Sequence, residues 1–243
     1  MPGKIRIDKL LFERGITPSR ERAQALVLAG KVMVNQQKVT KPGTSVAADA
    51  EIRLLEEDQR YVSRGGIKLE EALRHWQIEV NGKVCLDVGA STGGFTDCLL
   101  QHGAARVIAI DTGYGQIDVR LRSDPRVRLL ERSNARYLTQ EQVGESASFA
   151  AMDVSFISAT LVLPAVVNAA HPSELVILVK PQFEVGREQV GKGGIVRNHE
   201  ARLAAVEKVK NAVSELGGSD IEVIESPILG AEGNQEFLLH ARF

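Results

Sequence analysis

The sequence predicts an α/β protein with a mainly parallel β-sheet, preceded by a small α+β domain. From residue 66 onward, short apolar runs alternate with segments of helical periodicity, which is the pattern of parallel strands joined by crossover helices. The last two runs, 220–226 and 235–243, are joined by a short glycine-bearing segment, so we expect a hairpin and an antiparallel last strand. The first 55 residues instead indicate two short helices followed by three short strands.

The composition is that of an ordinary globular chain of 243 residues, with 44% hydrophobic and 25% charged residues. No apolar run reaches the roughly 18 residues that a membrane helix needs, and the first residues lack the apolar core of a signal peptide. Cys85 and Cys98 fall on a predicted strand and a predicted helix, where we expect buried thiols rather than a disulfide or metal ligands. The expectation is a cytoplasmic protein with no membrane partner and no metal.

The net charge of −1 hides an uneven distribution along the chain. Residues 1–45 contain nine Lys or Arg and three Asp or Glu, a local excess of six positive charges, and the acidic run 56–59 follows. A basic block of this kind is typical of nucleic-acid binding, although a solvated basic face is the plainer alternative.

Within this block, glycine and capping signals delimit two helices. The first is predicted over 7–15 and ends at Gly15; the second is capped by Ser19 and ends at Gly30. Short strands are predicted at 32–34, 38–40 and 51–55.

The stretch "RIDKLLFERGITPSRERAQALVLAGKVMVNQQKV" resembles the S4-like RNA-binding domain. The resemblance rests on these positions: Arg6, Asp8, Gly15, Ser19, Arg20, Ala23, Gly30 and the "VMVN" run. It implies that a basic helical face meets structured RNA through Lys9, Arg20, Arg22 and Lys31. Phosphate contacts of this kind position a protein without reading sequence.

Predicted domain boundaries follow from the change in pattern: an S4-like domain over 1–58, a linker over 59–65 and an α/β domain over 66–243. The α/β domain opens with a helix whose apolar face includes Leu69, Leu73 and Trp76. Strands are predicted at 83–89, 106–111, 126–131, 148–155 and 174–180, and further helices at 94–103, 157–170 and 199–217. We expect Pro164 to interrupt the helix over 157–170.

The segment "LDVGASTGGFTD", residues 86–97, follows a predicted strand and opens a helix. Glycines let backbone approach a ligand closely, and a helix amino terminus favours negative charge. The glycine spacing does not match the dinucleotide fingerprint Gly-x-Gly-x-x-Gly. An acid followed by Gly-x-x-x-Gly resembles instead the S-adenosylmethionine loop of the class I, Rossmann-like methyltransferases.

This second resemblance implies S-adenosylmethionine as the cofactor and a set of residues that bind it. Asp111 would hold the ribose hydroxyls and Asn134 would contact the adenine; a strand-end cap and a turn former are the alternatives. The full predicted set is Asp87, Gly89, Ser91, Gly93, Gly94, Phe95, Asp111, Asn134 and Asp153.

Four polar residues lie where a doubly wound sheet would bring them together: Lys68 before the first strand, Asp153 and Lys180 at strand ends, and Glu236 at the start of the last strand. This tetrad, with "VKPQFE" around Lys180, resembles the FtsJ-like ribose 2′-O-methyltransferases. Together with the S4-like stretch, the whole chain resembles the TlyA (hemolysin A) family of ribosomal-RNA methyltransferases. The motifs "SRGGIKL" and "GKGGIVRN" fit it too.

Methyl transfer to a ribose hydroxyl needs in-line alignment and removal of a proton from a weak acid. A lysine removes that proton only in its neutral form, which burial and a second cation favour. We therefore expect Lys180 to be the base and Asp153 to orient it, with Lys68 and Glu236 positioning the substrate. The segment "DVSF" lacks the proline-bearing signature of methyltransferases that act on base nitrogens, which favours the ribose as target.

The polar, glycine-rich segment 185–198 is predicted to be a mobile loop that closes over RNA. Arg187, Lys192 and Arg197 would contact phosphates there, and Arg64 is a further RNA-binding candidate. An idle surface loop is the alternative. The family precedent implies a cytidine ribose in ribosomal RNA and a ribosomal subunit as partner, and a monomer is expected.

Three other functions compete with this interpretation. A non-catalytic ribosome-assembly factor would bind the cofactor without transferring methyl groups. A membrane-active hemolysin would need an export signal or membrane span, and a pseudouridine synthase would not need the methyl-donor loop.

Overall fold

In the computed structural model, which describes residues 3–55, 60–230 and 232–243, the chain forms two compact units, Met1–Arg60 and Tyr61–Phe243. The acidic run 56–59, which includes the first residue of the predicted linker, lies outside the described residues. Gly65, the last residue of that linker, is already the first residue of a helix. The predicted domain boundaries themselves stay predictions.

The described residues of the amino-terminal unit form two helices and two small antiparallel sheets. Its elements are β1 (Lys4–Arg6), α1 (Ile7–Glu13), α2 (Arg20–Leu28), β2 (Val32–Val34), β3 (Gln37–Val39), β4 (Ser45–Ala47) and β5 (Ile52–Leu54). The strand order is β3-β2-β5 in one sheet and β1-β4 in the other. The helices pack against each other over a core that includes Ile7, Leu11 and Val27.

A capping serine and two glycines mark ends of the two helices of this unit. Ser19 Oγ accepts a hydrogen bond from Arg22 N, 3.2 Å away, and so caps α2 as predicted. Gly15 and Gly30 adopt left-handed backbone with φ of +67° and +66°, which a residue without a Cβ accepts readily. The strands β1 and β4 were not predicted, because β1 has one apolar residue between two basic ones and β4 lies in a segment rich in small, turn-forming residues.

The second unit is a seven-stranded sheet with helices on both faces. Its strands are β6 (Val84–Val88), β7 (Arg106–Ile110), β8 (Val127–Leu130), β9 (Phe149–Met152), β10 (Glu174–Val179), β11 (Ser219–Glu225) and β12 (Phe237–Arg242). Its helices are α3 (Gly65–His75), α4 (Gly94–Gln101), α5 (Val119–Arg122), α6 (Gln140–Val143), α7 (Ala159–Ala170), α8 (Pro181–Glu184) and α9 (His199–Glu215), with 3₁₀ turns at Ala135–Tyr137 and Arg187–Gln189.

The strand order is β11-β12-β10-β9-β6-β7-β8, and the five strands from β10 to β8 are parallel. The last strand, β12, runs antiparallel to β10 and to β11, as predicted. The sheet is therefore the mainly parallel, Rossmann-like sheet that the sequence indicates.

Helices α7 and α9 cover one face of the sheet, and α3 and α4 cover the other. Residues Leu175–Val179 of β10 are at most 1% exposed, because both faces of the strand are covered. Cys85 and Cys98 are buried free thiols, and burial raises the pKa of Cys85 to about 12. No described helix combines the length and the apolar composition that spanning a bilayer requires.

The predicted interruption at Pro164 is wrong, because α7 is continuous from Ala159 to Ala170. Pro164 cannot donate the usual helical hydrogen bond, but it lies on the exposed side of the helix. The carbonyl group that loses this partner can bind water there, so the helix tolerates the residue.

Candidate active site

Two adjoining cavities lie at the carboxyl edge of the parallel strands. The larger has a volume of about 470 Å³ and the smaller about 280 Å³. They share the residues Gly89, Ser91, Asp153, Ser155 and Phe156. A ligand in one cavity would therefore be next to a ligand in the other.

All four members of the predicted tetrad line the larger cavity, where they form two ion pairs. Lys180 Nζ is 2.5 Å from Asp153 Oδ1 and 2.7 Å from Ser155 Oγ, to which it donates a hydrogen bond. Lys68 Nζ donates to Glu236 Oε2, and both residues are buried.

The fold explains why residues so distant in sequence meet. Asp153 and Lys180 directly follow the adjacent parallel strands β9 and β10. Phe237 of β12 is opposite Val179 of β10, so the antiparallel register brings the preceding residue, Glu236, to the same edge. β10 ends at Val179 and α8 begins at Pro181, so Lys180 is the single residue between the strand and the helix.

The smaller cavity is lined by Asp111 and Asn134, which follow β7 and β8. Asp111 accepts hydrogen bonds from Ser91 N (2.8 Å) and Gly113 N (2.6 Å), and so closes the loop after β6 onto the neighbouring strand. Asn134 Oδ1 accepts from Arg136 N (3.0 Å), so the two side chains also have the capping roles that their positions suggested.

The glycine-rich loop has left-handed backbone at Gly89, Ser91 and Gly93. A Cβ atom on Gly89 would lie 2.4 Å from the carbonyl oxygen of Asp153, so only glycine allows this close approach. Gly89 and Ser91 line both cavities, and Phe95 lines the larger one.

Three residues of the predicted cofactor set, Asp87, Gly93 and Gly94, line neither cavity. Asp87 is fully buried and accepts a hydrogen bond from Thr96 Oγ1, 2.6 Å away. Burial raises the pKa of Asp87 to about 7, although the Thr96 hydrogen bond opposes this change. These three residues therefore belong to the loop without lining either cavity.

Some residues of the site were missed by sequence reasoning. Ser155 accepts from Lys180, and Asn234 is buried and joins two loops by accepting from Val196 N (2.9 Å) and donating to Gly194 O (2.8 Å). Phe156 is 91% exposed at the cavity mouth, with left-handed backbone and its ring centroid 5.3 Å from that of Phe183. Their only signal in the sequence is proximity to tetrad members.

The predicted RNA-binding residues occur in both units. In the amino-terminal unit, Lys9 pairs with Glu13 at 3.4 Å and Arg20 with the buried Asp8 at 3.3 Å, while Arg22 and Lys31 are half-buried. In the second unit, Arg64 lines the larger cavity. Arg187, Lys192 and Arg197 are exposed on the segment 185–198, which contains a 3₁₀ turn and a β-bridge between Gly191 and Ile195.

Within residues 3–55, 60–230 and 232–243, no group of three or more His, Cys, Asp or Glu side chains is arranged to hold a metal ion. Glu236 and Asp153 face lysines, and Asp111 faces backbone amides.

Comparison with known proteins gives two family matches. Residues 61–243 match the FtsJ-like methyltransferases, and residues 5–52 match the S4 domain. The chain is 46% identical to the 16S/23S rRNA (cytidine-2′-O)-methyltransferase TlyA of Mycobacterium tuberculosis, over 100% of this chain and 91% of that protein.

Solved structures agree with these matches. A provisionally named hemolysin from Streptococcus thermophilus has 43% identity and a TM-score of 0.76, over 100% of this chain and 89% of that one. An S-adenosylmethionine-dependent methyltransferase from Mesorhizobium loti, 19% identical with a TM-score of 0.52 over 71% of this chain and 96% of that one, has the same fold. This chain therefore belongs to the FtsJ-like methyltransferases and, within them, to the TlyA (hemolysin A) family.

Proposed function

We propose that this enzyme transfers a methyl group from S-adenosylmethionine to the 2′-hydroxyl of a ribose, that of a cytidine, in ribosomal RNA. The observation that carries the proposal is the meeting of Lys68, Asp153, Lys180 and Glu236 in one cavity beside the glycine-rich loop. The substrate follows from the relative that is 46% identical and named as an rRNA cytidine-2′-O-methyltransferase.

The smaller cavity fits the methyl donor by the chemistry of its lining. Asp111 offers carboxylate oxygens to ribose hydroxyls, Asn134 an amide to the adenine, and the loop at Gly89 and Ser91 a close backbone surface. When bound, S-adenosylmethionine supplies an electrophilic methyl group on a sulfonium. The residues shared by both cavities support a donor and an acceptor bound side by side.

Lys180 is assigned the role of base, because its amine lines the larger cavity and contacts Asp153 and Ser155, which line both cavities. Asp153 and Ser155 hold Nζ from one side, which fixes the direction in which it meets the ribose hydroxyl. The Lys68–Glu236 pair, at the same cavity, positions the ribose. A positioned base of this kind typically contributes 10²–10⁴-fold to a rate.

RNA binding is assigned to both units. The exposed ring of Phe156 at the cavity mouth supports stacking with an unpaired base, the usual way in which single-stranded nucleotides are held. The match to the S4 domain and the basic residues of α1 and α2 support binding of structured RNA. The partner is a ribosomal subunit, which implies the cytoplasm, and the enzyme acts as a monomer.

The test is transfer of labelled methyl groups from S-adenosylmethionine to purified ribosomal subunits that lack the modification. The proposal predicts label in a 2′-O-methylcytidine after digestion to nucleosides. Binding of S-adenosylmethionine, followed by calorimetry, without any transfer would favour the assembly-factor alternative. Leakage of liposomes without methyl transfer would favour the hemolysin.

A further inference from the structure

Glu184 is a buried carboxylate that the proposed reaction does not use. Its side chain is 2% exposed, and it is the last residue of α8, the short helix that begins directly after Lys180. A buried charge is costly unless it is paired and hydrogen-bonded. The partners of Glu184 therefore indicate what it does.

These partners come from two other helices. Glu184 Oε1 accepts a hydrogen bond from Ala159 N, the first residue of α7, at 2.7 Å, and Oε2 accepts from the hydroxyl of Ser158. Lys208 Nζ, on α9, is 3.2 Å from Oε2 and 2.9 Å from the carbonyl oxygen of Glu184. The carboxylate thus lies at the favourable amino terminus of α7 and joins α7, α8 and α9.

Three successive contacts join two neighbouring loops, and Glu184 makes the last of them. Residues 153–158 lead from β9 to α7, and residues 180–184 lead from the adjacent β10 through α8. Lys180 contacts Asp153 and Ser155 at the start of these loops. The rings of Phe156 and Phe183 meet in the middle, and Ser158 meets Glu184 at the end.

We infer that Glu184 is a positioning residue, which holds Lys180 Nζ against Asp153 and Ser155 by joining the far ends of the two loops. The inference rests on the proposed function, in which Lys180 is the base. Lys208 contributes by balancing the buried charge. Misplacing a reacting group by about 1 Å can cost 10²-fold in rate, so a residue without contact to substrate can control turnover.

Kinetics of Glu184 variants test the inference. Glu184→Gln keeps the size and one acceptor but loses the charge, and we expect kcat to fall ~10-fold; for Glu184→Ala we expect ~100-fold. The KM for ribosomal subunits and the Kd for S-adenosylmethionine should stay within about threefold, because Glu184 lines neither cavity. The matched control is Glu207→Gln, which changes the exposed partner of Lys210 on α9 and should leave kcat unchanged.

A second variant keeps the test valid if Glu184→Ala does not fold. Lys208→Met removes the cation and should lower kcat severalfold. The double variant Glu184→Gln/Lys208→Met should then be no slower than the slower single variant, because both changes break one ion pair. Variants that lose thermal stability but keep wild-type kcat below their Tm would overturn the inference, since that is the result of a purely structural role.

A crystal structure of Glu184→Gln gives a readout that does not depend on activity. The inference predicts that the distance from Lys180 Nζ to Asp153 Oδ1, 2.5 Å in the wild type, increases beyond 4 Å or that the lysine side chain loses its order. An unchanged Lys180–Asp153 pair would overturn the inference, whatever the kinetics. If wild-type enzyme transfers no methyl group, the proposed function fails, while this structural prediction can still be tested.

Discussion

Asp8 and Asp87 are both fully buried aspartates, and their pKa values move in opposite directions. Asp8 accepts a bidentate pair of hydrogen bonds from Arg6 (3.0 and 2.9 Å), which holds its pKa well below the usual range. Asp87 has a hydroxyl of Thr96 as its partner, and burial raises its pKa to about 7. A charged partner therefore keeps Asp8 ionised, whereas burial without a charged partner favours the protonated form of Asp87.

We predict that Asp87→Asn changes the pH dependence of stability. Because the folded-state pKa of about 7 lies above the ordinary value of 3.8, native Asp87 holds its proton over a range in which the unfolded chain has released it. The stabilisation that Asp87 gives to the folded state is complete below about pH 4 and is lost as the pH rises through 7. The free energy of unfolding falls over this range with a slope of at most ~1.4 kcal/mol per pH unit. Urea denaturation between pH 4.5 and 8 measures this slope.

The Asp87→Asn variant lacks the titrating carboxyl group, so its free energy of unfolding should fall less with pH than that of the wild type. Its stability relative to the wild type should therefore increase with pH. The control is Asp220→Asn, at an exposed aspartate of β11, which should follow the wild-type curve. Parallel curves for wild type and Asp87→Asn would show that Asp87 does not titrate in this range.

At the level of single residues, the sequence predicted the tetrad but not its supports. Lys180 and Asp153 follow apolar strands, and the expected parallel order places such residues at one edge. Ser155, Asn234 and Glu184 lie in loops or at the end of a short helix, where no periodicity indicates which way a side chain points. Their roles depend on contacts between segments distant in sequence, which only the folded chain shows.

At the level of elements, long periodic segments were predicted well and short ones poorly. In the helix α9 and the buried strand β10, the positions that are buried in the structure are apolar positions of the sequence pattern. The four-residue helices α5, α6 and α8 are too short for any helical pattern, and the missed strands β1 and β4 contain fewer of the apolar residues that indicate β2 and β5. The continuity of α7 through Pro164 depends on solvent exposure, which the sequence does not reveal locally.

We predict that Pro164→Ala stabilises the enzyme. Alanine restores the amide donor in the sixth position of α7 and removes the proline ring, which is unfavourable in a helix interior by ~3 kcal/mol. Because Pro164 is exposed, the change leaves no cavity in the core. Urea denaturation should show a gain of roughly 1–3 kcal/mol with unchanged methyl transfer. A loss of stability would mean that the proline ring makes a favourable contact in this helix.

At the level of the whole molecule, a net charge of −1 conceals a basic amino-terminal unit. Residues 1–45 carry an excess of six positive charges, from nine basic and three acidic residues, and residues 5–52 match the S4 domain. Charge summed over a chain therefore says little about its partners, whereas charge counted along the chain does.

We predict that replacing Lys9, Arg22 and Lys31 together by alanine weakens both the binding to ribosomal RNA and the salt dependence of that binding. For every phosphate that a removed side chain neutralised, the slope of log Kd against log salt should fall by ~1, while the affinity for S-adenosylmethionine should not change. Filter binding at several salt concentrations measures the slope. The control replaces Arg74, Arg106 and Lys210, which pair with carboxylates on the other unit. Equal slopes for wild type and the first variant would show that these residues do not bind RNA phosphates.

Lys180 is the proposed base of a ribose 2′-O-methyltransferase. The most direct measurement is the single-turnover rate of methyl transfer to unmodified ribosomal subunits, with bound S-adenosylmethionine confirmed, for the wild type and Lys180→Met. The control is Lys83→Met, at a lysine that pairs with Glu174 beside the start of β6, away from both cavities. We predict 2′-O-methylcytidine from wild type and control, and a rate ~10²–10⁴-fold lower for Lys180→Met. A Lys180→Met rate close to that of the wild type would show that Lys180 is not the base.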